Sequence, residues 1–424
     1  MKTRKVEWTR LDNASKIFPA TCNDKDTKVF RVVCELKESV DPEVLQQALD
    51  VTIKNFTFYK SVLRRGVFWY YLESADINPI VEMESMPVCA PIYIKDKRNL
   101  LFRVFYYNNR INLEIFHALS DGTGAIWFLQ NMVHHYLIMK HKEVFENKSL
   151  EWPHSNSLDG KMKDSFHRHF IGKSTFQYPR MKRKSVKAYH TRGTRFEEKR
   201  TLLIEGSVSA EAVLKEARQY QTTLTIFVAS VFIYSIYKDM TAREKKHPVI
   251  LSVPINLRQF YESDSARNFF TTMNVGCHFT KKNIEIEDII QSVKDSFREG
   301  MEEEKISNQL NRFMALEKNL LTKLIPLPLK DFSLRIANKI NDREITGTLS
   351  NVGRIQMPTE FESYIRQFSI CTSARRPQIT MSTYNDRLVI SFTSPFRETE
   401  IQRYLFQFLS NKGIEIEISS NSLE

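Results

Sequence analysis

The alternation of apolar and polar positions divides the first 160 residues into short strands and two helices. Residues 29–36 form a compact β-branched and apolar run that is typical of a buried strand. Asp41 and Pro42 are an N-cap and a first-turn residue, and apolar positions then recur at helical spacing to Ile53. Helical spacing resumes from Thr123 to about Met139. Further strands are predicted at 57–63, 68–72, 80–83, 100–107 and 110–117, with a hairpin turn at Asn108-Asn109.

The pattern from residue 201 onward again mixes strands with helices. Ser209 is placed to cap a helix that ends at Gln221, and an apolar helix follows from Thr223 or Thr225 to about Met240. Later helices are predicted at about 287–305, onward to 323, and at 398–409, and strands at 201–205, 249–254, 272–279, 345–350, 368–372, 379–384 and 388–393. Interleaved strands and helices in both halves favour a two-domain α/β sandwich architecture.

Positive charge is concentrated between the two halves. The net charge is +12, and residues 161–200 alone hold 13 Lys or Arg against three acidic residues. This segment has no periodicity, so we interpret it as a basic interdomain linker between a half at 1–160 and a half at 201–424. A docking surface for phosphates or for an acidic acyl carrier protein is the alternative. Nucleic acid is not expected as a partner, because no nucleic-acid-binding motif accompanies the charge.

Composition narrows the class further. A hydrophobic content of 42% with 12 Gly and 14 Pro is typical of a globular protein with a large core. No apolar run reaches the length of a membrane span, and the first residues carry charge without an apolar stretch behind them. We therefore expect a cytoplasmic protein without a membrane span. The five cysteines are scattered, which favours reduced packing residues over a disulfide framework or a metal site.

One constellation carries chemistry. Residues 117–122 read H-A-L-S-D-G and lie where a strand gives way to a helix. A histidine at a strand end is held on a rigid element while its ring faces open space, as a general base requires. Asp121, four residues on, can fix that geometry, and Gly122 permits a tight turn or the close approach of a ligand. The alternative is a histidine with a purely structural role in a strand-to-helix turn.

The H-x-x-x-D-G pattern resembles the signature of a superfamily of acyltransferases. This superfamily includes chloramphenicol acetyltransferase, nonribosomal-peptide condensation domains and coenzyme A-dependent alcohol acetyltransferases. The segments S-V-P-I-N-L-R at 252–258, L-S-N-V-G at 349–353 and L-D-N-A-S-K-I-F-P at 11–19 most resemble bacterial alcohol acetyltransferase-like proteins. The resemblance covers essentially the whole chain. It implies two chloramphenicol-acetyltransferase-like domains with a tunnel between them, and a crossover segment near 345–375.

The resemblance also implies roles for individual residues. His117 matches the catalytic base, and Asp121 matches a mainly structural aspartate that pairs with an arginine, for which Arg258 fits. Ser350 and Asn351 lie where a polar group lines the tunnel or stabilises the oxyanion. The implied reaction moves an acyl group, acetyl in the first instance, from acyl-CoA to a hydroxyl acceptor by direct transfer. Acyl-CoA is then a co-substrate, and neither a permanently bound cofactor nor a metal is expected.

Two departures from the superfamily refine this expectation. Phe116 precedes the motif where many peptide-forming condensation domains have a second histidine, and the D-F-G-W-G segment of plant acyltransferases is absent. Because two similar halves can build both sides of the site, a monomer is expected. Two alternatives stay open: a condensation-type enzyme that uses a carrier-protein thioester and an amine acceptor, and a non-catalytic binding protein with the same fold.

Overall fold

The computed structural model describes residues 8–146, 186–197, 200–279, 281, 283–318 and 324–421, with the side chains of residues 312–318 excepted. Of the predicted basic linker, residues 161–185, 198 and 199 lie outside the described residues. The domain boundaries at 160 and 201 therefore stay predictions.

Fifteen strands are numbered in chain order through the described residues. They are β1 Trp8–Arg10, β2 Val29–Leu36, β3 Ser61–Arg65, β4 Tyr70–Ser74, β5 Val81–Met83, β6 Phe102–Tyr107, β7 Arg110–Phe116, β8 Leu202–Ser209, β9 Val249–Asn256, β10 Phe270–Cys277, β11 Gly347–Arg354, β12 Ile365–Thr372, β13 Gln378–Tyr384, β14 Arg387–Ser394 and β15 Ile416–Ser420.

The α-helices of the described residues follow the same convention. They are α1 Ile17–Thr21, α2 Pro42–Asn55, α3 Gly122–Lys140, α4 Lys142–Phe145, α5 Ala210–Gln219, α6 Leu224–Asp239, α7 Ile286–Gly300, α8 Glu303–Lys318, α9 Leu327–Asp342 and α10 Glu400–Asn411. No single described helix is long and apolar enough to cross a membrane. Helices α5 and α6 meet that test only as a pair, with an 80° bend between them.

The strands form two large sheets and one small one. The five-stranded sheet has the order β12-β2-β7-β6-β5, the seven-stranded sheet has the order β10-β9-β11-β13-β14-β8-β15, and β1, β4 and β3 form the third. Each large sheet has its own apolar core under its helices. The mixed α/β class with two halves is thus confirmed.

Strand β12 joins the two halves. The chain leaves the seven-stranded sheet after β11, pairs β12 antiparallel to β2 in the five-stranded sheet, and returns as β13, which is parallel to β11. The Ser382 hydroxyl donates to the Phe368 carbonyl (2.8 Å), which links the two sheets directly. One continuous segment of chain, from β11 to β13, therefore connects the two large sheets.

Most predicted elements are confirmed, because their caps and turns form as the sequence indicates. The Asp41 carboxylate accepts from the Glu43 and Val44 amides at the start of α2. Asn108 has a positive φ of 49° in the β6–β7 turn. Ser209 and Thr223 cap α5 and α6 through their side-chain oxygens.

Two predicted elements are wrong in extent. The strand expected at 57–63 begins as a 3-10 turn, Thr57–Tyr59, and extended structure starts only at Ser61. The reason is tertiary packing, since the Tyr59 ring stacks on Phe128 at 4.4 Å in the core. The two helices expected at about 287–305 and onward to 323 are found as α7 and α8, but the boundary between them lies after Gly300 and not near Lys305. Helix α9 and strands β1 and β15 were not predicted.

A buried carboxylate holds the centre of the five-stranded sheet. The side chain of Glu114 on β7 has no solvent exposure. It accepts from Arg31 Nε (2.9 Å), Arg103 Nε (2.8 Å) and the Cys89 amide (2.7 Å). A buried ion that is hydrogen-bonded on every side is stable only while all of its partners remain.

Glu114→Ala should therefore lower the free energy of unfolding by about 3–5 kcal/mol, because two guanidinium groups lose their shared carboxylate. Chemical denaturation of both proteins measures this difference. The matched control is Glu82→Ala on the edge strand β5 of the same sheet, where the side chain is exposed and little change is expected. Equal stability of the two variants would contradict this account of the sheet.

Candidate active site

His117 lies directly after β7, at the junction of the two halves. Its amide donates to the Lys28 carbonyl (2.8 Å), which holds the strand end against the residue before β2. The half-buried side chain lines a cavity of about 1980 Å³. Residues of β9, β10, β11 and β12 form the other walls, so both large sheets contribute. The predicted base thus faces open space rather than the core.

Aromatic rings surround the imidazole. Phe18 stacks on it with centroids 4.4 Å apart and an interplanar angle of 18°, while Phe30 and Phe270 lie at 4.9 and 5.5 Å. Burial among these rings lowers the pKa of His117 below its usual 6.5, an effect that the nearby Asp121 charge partly opposes. The imidazole is therefore neutral near pH 7 and able to accept a proton.

Asn268 fixes which ring nitrogen is basic. Its Nδ2 donates to Ser15 Oγ (2.8 Å) and to the His117 carbonyl (2.9 Å). Its Oδ1 lies 3.1 Å from His117 Nδ1, and an amide oxygen only accepts, so Nδ1 carries the hydrogen. This leaves Nε2 as the basic nitrogen, and no hydrogen-bond partner for it is found among the described residues.

The N-terminal segment supports Asn268 from the other side. Ser15 Oγ donates to Asp12 Oδ1, and the Ser15 amide donates to the same oxygen at 2.8 Å. Both residues are buried. The segment at 11–19 that carried part of the resemblance thus holds the second layer around the imidazole, and it also supplies Phe18.

Asp121 begins α3 and connects it to the second half. Its Oδ1 accepts from the Gly124 amide (3.0 Å) as the N-cap of the helix. Its Oδ2 accepts from Arg258 Nη1 (2.8 Å) and from the Phe269 amide (2.9 Å). With the side chain only 6% exposed, this carboxylate holds together the start of α3, the Arg258 guanidinium and the backbone at Phe269.

Arg258 carries the connection into the loop before β10. Besides Asp121, its guanidinium donates to the Ser265 carbonyl (2.6 Å) and to the Arg267 carbonyl (2.7 Å). Both carbonyls lie within the three residues that precede Asn268. The predicted pair of Asp121 and Arg258 is therefore formed, and it sets the position of the loop that orients His117.

The two glycines after Asp121 have different roles. A Cβ on Gly122, which was predicted to support the site, would meet only the Val352 side chain at 3.7 Å, an ordinary contact. A Cβ on Gly124 would lie 2.0 Å from the Ala266 carbonyl oxygen. Close packing of α3 against the loop at 265–269 therefore requires Gly124, whereas Gly122 lines the cavity and places the motif beside β11.

Ser350 and Asn351 both line the cavity but differ in their bonding. Asn351 Nδ2 donates to Thr225 Oγ1 (2.8 Å) and its Oδ1 accepts from the Gly353 amide (2.9 Å), so the amide is occupied. No partner for the Ser350 hydroxyl is found among the described residues. Ser350 is therefore the candidate with a free donor, and Asn351 shapes the bulge at Gly353, where φ is +83°.

Sequence reasoning missed Asn268 and the Phe30 and Phe270 rings. Each lies in a stretch without any motif, and Asn268 is 151 positions from the histidine that it orients. Only the S-V-P-I-N-L-R resemblance, which ends ten residues earlier, pointed toward this part of the chain. Across the described residues, no cluster of His, Cys, Asp and Glu is arranged to hold a metal ion.

The fold is that of acyltransferases and condensation domains. The trichothecene 15-O-acetyltransferase TRI3 of Fusarium sporotrichioides is 10% identical, with a TM-score of 0.65 over 96% of this chain and 94% of that chain. The first condensation domain of the calcium-dependent antibiotic synthetase is 11% identical, with a TM-score of 0.63 over 97% of this chain and 99% of that chain. F. sporotrichioides TRI101, whose structure contains coenzyme A and T-2, is 10% identical, with a TM-score of 0.63 and the same coverage.

The class that shares this fold, acyltransferases and condensation domains, agrees with the family comparison. Residues 160–375, just over half of the chain, match the model of the alcohol acetyltransferase family, and the chain belongs to that family. The matched part includes Arg258, Asn268 and Ser350, whereas His117 lies before it. No curated protein matches the sequence.

Asp121→Ala should lower the free energy of unfolding by about 3–5 kcal/mol, because the Arg258 side chain, 8% exposed, would be left without its carboxylate. Thermal unfolding monitored by circular dichroism measures the loss. Asp295→Ala is the control, since its pair with Arg298 is exposed and contributes at most about 1 kcal/mol. An Asp121 variant as stable as the Asp295 variant would refute the structural role.

Proposed function

We propose that this protein transfers an acyl group from a coenzyme A thioester to the hydroxyl of a small acceptor, with His117 as general base. The observation that carries the proposal is the state of the imidazole. Asn268 holds the hydrogen on Nδ1, burial keeps the ring neutral, and the ring lines the large cavity. Membership of the alcohol acetyltransferase family supports the same reaction class.

The proposed chemistry proceeds by direct transfer. His117 Nε2 takes the proton from the acceptor hydroxyl while its oxygen attacks the thioester carbonyl, which gives a tetrahedral oxyanion. Collapse of this intermediate breaks the carbon–sulfur bond, and the imidazolium of His117 gives its proton to the leaving thiolate. The products are the acylated acceptor and free coenzyme A, and no covalent acyl-enzyme forms.

Two groups support this sequence of steps. The Ser350 hydroxyl is the candidate hydrogen-bond donor to the oxyanion, since the Asn351 amide is already engaged. The rings of Phe18, Phe30 and Phe270 exclude water from the imidazole, which favours transfer to an alcohol over hydrolysis of the thioester. An apolar alcohol therefore suits this part of the cavity better than a polyol.

An amine acceptor with a carrier-protein thioester is the second candidate, and condensation domains of the same fold support it. The two are separated by measuring free thiol release from acetyl-CoA with alcohols and with amines, alongside transfer from an acylated carrier protein. Turnover of alcohols with acetyl-CoA supports our proposal. Turnover restricted to carrier-bound acyl groups and amines favours the second candidate, and no turnover with any pair favours a binding protein.

His117→Ala should lower kcat by about 10²–10⁴-fold, the usual contribution of a positioned general base. Steady-state thiol release with acetyl-CoA and a reactive alcohol provides the measurement. His141→Ala is the matched control, since this histidine pairs with Glu38 at the far end of α3 and does not line the cavity. Turnover of the His117 variant at the control rate would rule out the proposed role.

Asn268→Asp tests the positioning of the base through the pH profile. The lowered pKa of His117 predicts that kcat/KM falls on the acid side through a pKa below 6.5. A carboxylate beside Nδ1 stabilises the imidazolium, raises the pKa of His117 and should move this acid limb to higher pH. Asn268→Ala is the control without charge. If both variants lose activity equally at every pH, Asn268 is only structural.

A further inference from the structure

Helix α9 has two contrasting faces. One face lines the cavity, through Ser333, Leu334, Ala337, Asn338 and Asn341. The other face is apolar and open to solvent, with exposed fractions of 45–62% at Leu329, Phe332, Ile336 and Ile340. Because these four recur three or four residues apart, they form a single stripe along the helix.

The β3–β4 hairpin extends this stripe. Val67 and Phe68 at its tip are 72% and 40% exposed. The Leu327 amide donates to the Val67 carbonyl (2.9 Å), and Lys330 Nζ donates to the Phe68 carbonyl (3.0 Å), so the tip is fixed beside the start of α9. We use the name outer patch for the exposed apolar residues of α9, of the hairpin tip and of the chain before α9, which are Val67, Phe68, Leu324, Ile325, Leu329, Phe332, Ile336 and Ile340.

Exposed apolar side chains are concentrated in the outer patch and are not spread evenly over the surface. Eighteen large apolar side chains are exposed among the described residues, and eight of them belong to the patch. Single exposed apolar residues are ordinary on a soluble protein, whereas a contiguous group marks an interaction surface.

The charges around the patch select the kind of partner. The exposed charged side chains of α9 and the residue after it are basic: Arg335, Lys339 and Arg343. The two acidic residues of the helix are engaged within the protein, since Asp331 is buried and accepts from Tyr70 Oη, and Asp342 is paired with Arg375 and Arg376. Arg65 adds a further exposed cation beside the hairpin tip.

We propose that the outer patch docks on an anionic lipid surface. An apolar helical stripe beside a row of Lys and Arg is the arrangement with which helices lie in the interface of a membrane, where the apolar side chains insert and the cations contact lipid phosphates. A protein partner would need acidic groups opposite the same cations, whereas an anionic bilayer satisfies both requirements with one surface.

Trp69 connects the outer patch to the cavity. It follows Phe68 and lines the cavity, with the ammonium groups of Lys330 and Lys16 at 3.5 and 4.9 Å from its ring centroid. One helix thus separates the lipid from the reaction space. On the acyltransferase function proposed above, this places the cavity where an apolar alcohol dissolved in lipid would reach it.

Flotation with vesicles tests the docking without depending on activity. The wild-type protein should bind phosphatidylcholine vesicles that contain phosphatidylglycerol, and bind phosphatidylcholine alone more weakly. Phe332→Ser/Ile336→Ser should reduce the binding constant by about ten- to a hundredfold, because two apolar side chains no longer insert. Ile80→Ser/Tyr107→Ser removes two equally exposed apolar side chains outside the patch and should bind as wild type.

The contribution of the cations is tested with the double variant Lys339→Gln/Arg343→Gln. These substitutions should weaken binding to the phosphatidylglycerol vesicles by about tenfold and reduce its dependence on salt. All variants change exposed side chains, so thermal unfolding should match wild type, and this is checked first.

The proposal is overturned if wild type does not float with phosphatidylglycerol vesicles, or if the Phe332→Ser/Ile336→Ser variant floats as wild type does. Light scattering gives the competing outcome, in which wild type is a dimer and this variant a monomer; the patch is then an interface between two copies. Thiol release with a water-soluble alcohol should be equal for wild type and the patch variants. If the wild-type protein shows no thiol release, the result counts against the proposed function and not against the docking.

Discussion

The ion pair between Asp121 and Arg258 is the constraint on which the rest of the site depends. It joins the start of α3 in one half to the loop before β10 in the other. The same guanidinium donates to the Ser265 and Arg267 carbonyls, so the loop is held in place up to the residue before Asn268. Asn268 then sets the tautomer of His117. One buried ion pair between the two halves therefore fixes the loop whose asparagine determines which nitrogen of His117 carries the hydrogen.

The electrostatic design separates two kinds of ionisable group. Asp121 and Glu114 are surrounded by donors, and their role is to hold backbone segments together. His117 is buried among aromatic rings beside one amide, and this burial lowers the pKa of its imidazole. Donor-rich surroundings stabilise a fixed charge, whereas apolar surroundings keep a group neutral until a reaction requires the charge.

Sequence alone could predict the elements whose signals are local. The histidine at the end of β7 and the helix predicted from Thr123 follow from such signals, whereas the pair of Asp121 with Arg258 was implied only by the family resemblance; all are found in place. Asn268 could not be predicted, because its function arises only when an irregular loop is brought against a distant strand end. Helix α9 was missed although Leu329, Phe332, Ile336 and Ile340 recur at helical spacing, and the structure shows that this apolar stripe faces solvent instead of the core.

The path of β12 has a mechanical consequence. This strand belongs to one sheet while the strands before and after it belong to the other, and its connections span only residues 355–364 and 373–377. A hinge that swung the halves apart would have to stretch both short links or strip β12 from β2. Rigid-body separation of the two halves is therefore opposed by the backbone itself, which holds the two walls of the cavity at their observed spacing.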